Sequence, residues 1–281
     1  MTKTKGILVF AQNSTLTNYV DQACLLAMSL RVTNPETLIS IVTNDEVPAE
    51  YVKLFDQVIP IPFNDDAVNS DWKIENRWKL YYASPYDQTM VLDSDMLVLQ
   101  DITSWWQFLS NYELFFTSKV LTYRGEEVTS DYYRKTFTAN DLPNLYSGLH
   151  YFEKSKFALE FYKWLELVMQ NWELFYGQYA KEKYPGRCSV DVSAAIVAKI
   201  LDCDTLITNK KTSFPTFTHM KPHIQNWSQP KNSWQDCLGT YINRDCEIKL
   251  GNYTQTGILH YTENSFVTDE VVTRYRNYLH V

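Results

Sequence analysis

The chain has 281 residues, of which 45% are hydrophobic and 21% charged, an ordinary globular composition able to bury a substantial core. Its 33 acidic and 26 basic side chains leave a net charge of −7, which excludes a nucleic-acid or anionic-membrane binder that works through overall positive charge. The five cysteines (24, 188, 203, 237 and 246) are odd in number, dispersed and without C-x-x-C spacing, so free thiols in a reducing compartment are expected. The first apolar run, residues 7–10, is too short for a signal sequence or a membrane span, and a cytoplasmic location is expected.

Residues 7–10 read as the first strand, followed by a polar connection over 11–17. Asn18 or Thr17 caps a helix running to about Arg31, with Tyr19, Ala23, Leu26, Ala27 and Leu30 on its apolar side. Residues 38–42 are the next strand, Pro48 opens a short helix through 55, and 58–61 form a third strand. A polar loop over 65–71 leads into a helical pattern over 72–84, stopped by Pro85. Residues 89–92 are apolar with β propensity and predict a fully buried strand. Strand and helix in alternation predict βαβ units, hence an α/β fold on a mostly parallel sheet.

In the second half, a helix is expected over 102–109 and strands over 114–116 and 147–152. Between those strands, residues 120–143 are polar and rich in Tyr and Arg, and Gly125 predicts a hairpin or a long active-site loop. Ser155 caps a long helix to 176, with Phe157, Phe161, Trp164, Val168, Trp172 and Phe175 at helical spacing as core packing. Helices over 192–201 and from Thr268 onward complete the chain. With no repeat, low-complexity tract or linker, residues 1–281 are expected to form one domain.

Chemistry is concentrated just past the strand at 89–92. Asp93 and Asp95 stand there one residue apart. In open α/β sheets ligands bind outside the carboxyl ends of the strands, and two carboxylates so placed can share a divalent cation that neutralises a diphosphate. The pattern alone is weak, because 18 aspartates in this chain produce about one such pair by chance. Asp202 and Asp204 are indeed a second pair, but they close a helix and read as a connecting loop. The plain alternative for Asp93 and Asp95 is a capping turn.

These residues lie in segments that together resemble a GT-A glycosyltransferase, most closely the family 8, glycogenin-like enzymes, with departures that suit a distant group such as one found in tailed phages. The segments are the first strand with Tyr19 and Ser29-Leu30, Arg77-Trp78-Lys79-Leu80, residues 91–99, and Gly257-Ile258-Leu259-His260. The resemblance implies a GT-A (Rossmann-like) sheet flanked by helices, with residues 1–100 as the nucleotide-binding half and 101–281 as the donor-sugar and acceptor half. It implies metal ligation by Asp93, Asp95 and His260, with Mn²⁺ suited to carboxylate plus imidazole and Mg²⁺ as the alternative. It places Ala11, Asn13, Tyr19, Arg77, Ser94, Ser147, Gly148 and Lys221 along the donor, and gives Asp191 and Arg77 roles in the reaction. Lys73 and Lys79 are weaker candidates for the part of Arg77. The plain readings are a core histidine for His260, a surface ion pair for Arg77 and helix capping for Asp191.

The departures are Tyr146 where that family has Asn, Val192 where it has Gln, and Tyr261-Thr262-Glu263-Asn264 after His260 in place of a Gly and a Lys-Pro-Trp. The expected activity is transfer of a sugar, with retention, from a nucleotide-sugar donor such as a UDP-sugar to a glycan or small molecule. An alternative acceptor is a hydroxymethylated pyrimidine in phage DNA, which would place the enzyme in the host cytoplasm. It is raised by the acid-free stretch 205–235, with Lys210, Lys211, Lys221 and Lys231 and the candidate stacking rings of Trp227 and Trp234. A nucleotidyltransferase or a non-catalytic nucleotide-sugar-binding protein is the other alternative. The absence of glycine from 11–18 disfavours the former.

Overall fold

A computed structural model describes residues 3–129, 134–181, 186–229 and 232–281. The central sheet has six strands in the order β3-β2-β1-β4-β7-β6. They are β1 (Lys5–Phe10), β2 (Leu38–Val42), β3 (Gln57–Ile59), β4 (Gln88–Asp93), β6 (Leu114–Thr117) and β7 (Tyr146–Glu153); β5 (Met96–Val98) lies outside this sheet. Pairings among β1 to β4 are parallel, whereas β7 runs antiparallel to both β4 and β6. The result is the expected mixed, mostly parallel sheet.

Alternation along the strands explains why both faces are covered. Ile7 and Val9 of β1 and Met90 and Leu92 of β4 enter one core, while Leu8, Phe10 and Val91 enter the other. A strand buried on both faces must be apolar throughout, which is how residues 7–10 and 89–92 read. The first core is covered by α1 (Tyr19–Thr33), α4 (Trp105–Leu109) and α9 (Asp269–Leu279). The second is covered by α6 (Lys156–Gln170), α7 (Trp172–Tyr179) and α8 (Val190–Ile200). Short helices α2 (Ala49–Val52), α3 (Leu80–Ala83) and α5 (Lys135–Ala139) complete the set.

Local signals explain the helix starts. The Asn18 side chain accepts the Asp21 N–H, Ser155 accepts that of Ala158, and Thr268 accepts that of Val271. Two helical expectations are corrected. Only Arg77–Lys79, a 3-10 turn, and α3 are helical within 72–84; Lys73 takes a left-handed backbone (φ 53). The long helix breaks at Asn171, whose side chain donates to the Leu167 carbonyl, so that α7 starts anew. The hairpin at Gly125 is present, with Leu121 bridging Glu127 antiparallel and Gly125 at φ 79.

Two small sheets finish the chain. One joins β9 (Thr240–Ile242), β10 (Ile248–Leu250) and β11 (Tyr253–Thr254). The other, in the order β5-β12-β8, joins β5 to β12 (Ile258–His260) and β8 (Thr218–His219). The chain moves from β1 outward to β3 and then returns to place β4 on the other side of β1. The carboxyl ends of β1 and β4 are therefore a topological switch point, where a crevice opens.

Candidate active site

Asp93 ends β4 at that switch point, and the turn through Ser94 brings Asp95 to the start of β5. β12 runs antiparallel to β5 with His260 opposite Met96, and the Tyr261 N–H donates to the Asp95 carbonyl at 3.1 Å. This pairing carries a residue from the far end of the sequence to the aspartates. His260 Nε2 lies 3.0 Å from Asp95 Oδ1, and ligand atoms of Asp93, Asp95 and His260 all lie within 4.8 Å of one another. Two carboxylates and an imidazole at this separation form a donor set that fits a divalent transition metal.

The electrostatics of Asp95 and His260 agree with that fit. Burial acts to raise the Asp95 carboxyl, but the adjacent His260 outweighs it and holds the group below the ordinary carboxylate range. Burial acts against a charged His260, but Asp95 and Asp93 outweigh it and raise the imidazole above its usual 6.5. The site favours a positive charge at this point. His260 Nδ1 is buried with no hydrogen bond among the described residues. Its ring is instead stacked on His219, centroids 4.6 Å apart and planes 13° apart, because β8 pairs with β12 in register His219 to His260.

Arg77, on its 3-10 turn, makes a close ion pair with Asp93 Oδ1, and its guanidinium lies 5.7 Å from the Phe10 ring centroid. Gly148 of β7 faces the same aspartate. A Cβ there would meet Asp93 Oδ2 at 2.8 Å and Met96 Cε at 3.0 Å, so only glycine lets β7 pass this close. Asp191, in the first turn of α8, does not cap its helix. Its Oδ1 accepts from both the N–H and the hydroxyl of Ser147, at 2.8 and 2.5 Å, and its Oδ2 accepts from Arg134.

A cavity of about 660 Å³ joins these groups. Of the residues singled out by sequence, Tyr19, Arg77, Asp93, Ser94, Asp95, Ser147, Gly148, Asp191, Lys221 and His260 line it. Ala11 and Asn13 do not: Ala11 is fully buried, and Asn13 accepts the Val20 N–H on its side chain while donating its own N–H to Asp45. Lys79 is also off the wall. It is 1% exposed, bonded to Asn64 and Asn76 and paired with Asp66 at 2.9 Å. Lys73 reaches the wall, but its ammonium donates to the Ala67 and Val68 carbonyls.

The described residues of the acid-free stretch do not form one basic face. Lys221 and His219 line the cavity, whereas Lys210 pairs with Asp204 at 2.7 Å, and Lys231 lies outside the described residues. Trp234, expected as a stacking ring, is 0% exposed and donates its indole N–H to the Tyr261 carbonyl at 2.7 Å. The wall beyond His260 is tied down on both sides. Glu263 accepts from Ser233 and the Trp234 N–H, and Asn264 bonds Gln22 and Thr17. Thr262, just before them, holds a left-handed backbone (φ 63), costly for a β-branched residue and sustained only where its surroundings fix it.

Sequence reasoning missed Arg134. It is 2% exposed yet reaches the cavity wall. Its only signal was membership of the Tyr- and Arg-rich loop 120–143, because of its partners only Phe137 lies within that loop, while Asn144, Leu145, Tyr146 and Asp191 lie outside it.

No family model matches the chain, and no curated protein sequence matches it. Solved structures do. The galactosyltransferase LgtC, in complex with donor and acceptor sugar analogues, aligns over 97% of this chain and 95% of its own, with a TM-score of 0.52 at 14% identity. The bifunctional glycosyltransferase WbbM aligns over 99% of this chain and 52% of its own, with a TM-score of 0.51 at 12% identity. The glycosyltransferase GlyE of Streptococcus pneumoniae aligns over 75% of this chain and 46% of its own, with a TM-score of 0.42 at 17% identity. The chain thus spans about half the length of WbbM and less than half that of GlyE. What it shares with LgtC and WbbM is the fold, the mixed and mostly parallel sheet flanked by helices of the GT-A glycosyltransferases. Among the described residues no helix is long and apolar enough to cross a membrane.

Proposed function

We propose that the protein is a metal-dependent glycosyltransferase that moves a sugar from a nucleoside-diphosphate donor, a UDP-sugar, to a glycan or small-molecule acceptor with retention of configuration. The observation that carries this reading is the convergence of Asp93, Asp95 and His260 with Tyr19 and Arg77 in one cavity at the switch point of a GT-A sheet. Asp93, Asp95 and His260 would hold Mn²⁺ or Mg²⁺. When bound, the cation supplies charge that stabilises the departing diphosphate.

The remaining work falls to the chain. Tyr19 packs against the base, and Lys221 adds a positive charge on the diphosphate side. Arg77 holds Asp93 in place and faces the anionic centre of the donor. Asp191 accepts a hydrogen bond from the transferred sugar. Its two oxygens are already engaged by Ser147 and Arg134, which disfavours it as a covalent nucleophile. That supports a front-face displacement: the anomeric carbon–phosphate oxygen bond breaks, the acceptor oxygen bonds on the same face, and its proton passes to the leaving phosphate.

The test is calorimetric titration of UDP with and without Mn²⁺. The wild-type protein should bind UDP in a metal-dependent way, and Asp95→Ala and His260→Ala should lose that dependence while unfolding cooperatively like the parent. Undiminished metal-dependent binding in Asp95→Ala refutes the assignment.

A further inference from the structure

Arg134 is held more completely than a surface ion pair requires. Its guanidinium lies 3.9 Å from the ring centroids of both Phe137 and Tyr146, sandwiched between two aromatic faces. Nε donates to the Asn144 side chain at 2.7 Å, Nη2 to the Leu145 carbonyl and Nη1 to Asp191 Oδ2. A planar, three-pronged fork stacked on both faces cannot be reproduced by an ammonium. The residues that hold it come from α5, the start of β7 and the segment between them. Arg134 stands where that segment, with Thr136, Phe137 and Tyr146, reaches the cavity wall.

The consequence falls on Asp191. A carboxylate offers about four acceptor positions, two on each oxygen. Ser147 takes both on Oδ1, and Arg134 takes one on Oδ2. One position remains, on an oxygen whose orientation is fixed from two sides. A carboxylate with several open positions could serve hydroxyls in several places; this one can serve a single hydroxyl in a single place.

We propose that Arg134 is a specificity-determining residue for the transferred sugar: clamped between Phe137 and Tyr146, it fixes Asp191 so that the pocket accepts one hydroxyl and rejects sugars that carry it elsewhere or lack it. This rests on the nucleotide-sugar reading given above. Arg134 acts through Asp191, so it is a positioning residue. Its signature is a split between nucleotide binding and sugar discrimination, which loss of general structural support would not produce. A site built to hydrogen-bond a substrate group rejects the analogue without it because its own polar groups are left unpaired.

The experiment is calorimetric titration, in Mn²⁺, of UDP, UDP-glucose, UDP-galactose and UDP-xylose into the wild-type protein and Arg134→Lys. The wild type should separate the sugars by about tenfold or more in affinity between best and worst. Arg134→Lys should keep its affinity for UDP within about threefold and compress that separation to about threefold or less. If Arg134→Lys does not fold, Arg134→Gln, which leaves Asp191 intact, is read in the same way. Unchanged discrimination in the folded variant overturns the proposal, as does a wild type that binds Mn²⁺ and UDP but does not distinguish the sugars. A wild type that fails to bind UDP with Mn²⁺ overturns the glycosyltransferase reading and this proposal with it.

Discussion

Replacing Gly148 with alanine tests the closest approach in the site. The added Cβ would sit 2.8 Å from Asp93 Oδ2 and 3.0 Å from Met96 Cε, whereas ordinary contacts of this kind begin several tenths of an ångström further out. Gly148 itself lies in a register irregularity of β7, but backbone movement is limited by the anchored neighbours on either side, Leu149 paired with Leu92 of β4 and Tyr146 with Thr117 of β6. The carboxylate must therefore give way, and it is already pinned by Arg77 on its other oxygen. Overpacking of this sort costs about 1–3 kcal/mol of stability. The larger effect should be on the aspartate: displaced from its pairing position, it should weaken metal-dependent UDP binding by about tenfold, the lower end of what disturbing a ligand's support costs. Calorimetry measures the binding and thermal unfolding the stability. Gly177→Ala is the control, since a Cβ there meets nothing within 4 Å and α7 should gain about 0.5–1 kcal/mol. Gly148→Ala with wild-type metal-dependent binding would refute the claim that β7 constrains Asp93.

Tyr19→Ala should weaken UDP binding by about 1–3 kcal/mol, the range for aromatic–base stacking, and an unchanged dissociation constant in calorimetry would remove Tyr19 from the base site. His219→Ala, which deletes the ring stacked on His260, should lower Mn²⁺ affinity by about tenfold while the protein stays folded, as followed by metal titration in the presence of UDP. Protonation of His150 supplies a pH prediction. Burial pushes this histidine down from 6.5 to about 4, and its ring nitrogens lie against the Ser147 carbonyl and the Tyr162 hydroxyl. Between those values the unfolded chain binds the proton and the folded one does not. The contribution, about 3 kcal/mol, is therefore fully present above pH 6.5 and is lost as the pH falls toward 4. Urea unfolding of the wild type and His150→Gln at pH 7.5 and 4.5 should show a smaller loss on acidification in the variant; equal losses would exclude His150.

Much of the first half was legible because its signals are local. An apolar run buried on both faces, an Asn at a helix start and a Pro at a helix end are each read within a few residues, and β1, α1, β2 and β4 fall where those signals put them. The segment 72–84 failed because its path is set from outside. Asn76 bonds Gln12 and Asp65, and Lys79 is bonded to the loop at Asn64, so side-chain bonds across the chain override the helical spacing. The break at Asn171 was invisible for another reason: the apolar stripe continues through it, and the stop lies in Asn171 itself, whose backbone leaves the helical region and whose side chain donates to the Leu167 carbonyl. In the site, Asp93 and Asp95 were readable as a pair, and His260 through resemblance in the order of segments. Arg134 was not, because a lone arginine in a polar loop gains meaning only from Phe137, Tyr146 and Asp191. Trp234 looked available in the sequence and is core in the fold, since composition does not say which way an indole turns.

Residues 93, 95 and 260 meet only because β12 lies against β5. An ion shared among them would act as a non-covalent clasp between an early and a late part of the chain. Without it, the two neighbouring carboxylates and β12 are joined by three residue pairings between β12 and β5 and one imidazole, with two further pairings tying β12 to β8. Whatever binds the closed arrangement stabilises it by mass action, so local opening of β12, and with it α9, should be suppressed in proportion to occupancy. Amide exchange in Ile258, Leu259 and His260 would slow when the donor and cation are present, while exchange in β1 and β4, at the centre of the sheet, would stay governed by global unfolding. On the proposed function, binding of donor and cation would thereby also fasten β12 against the rest of the fold.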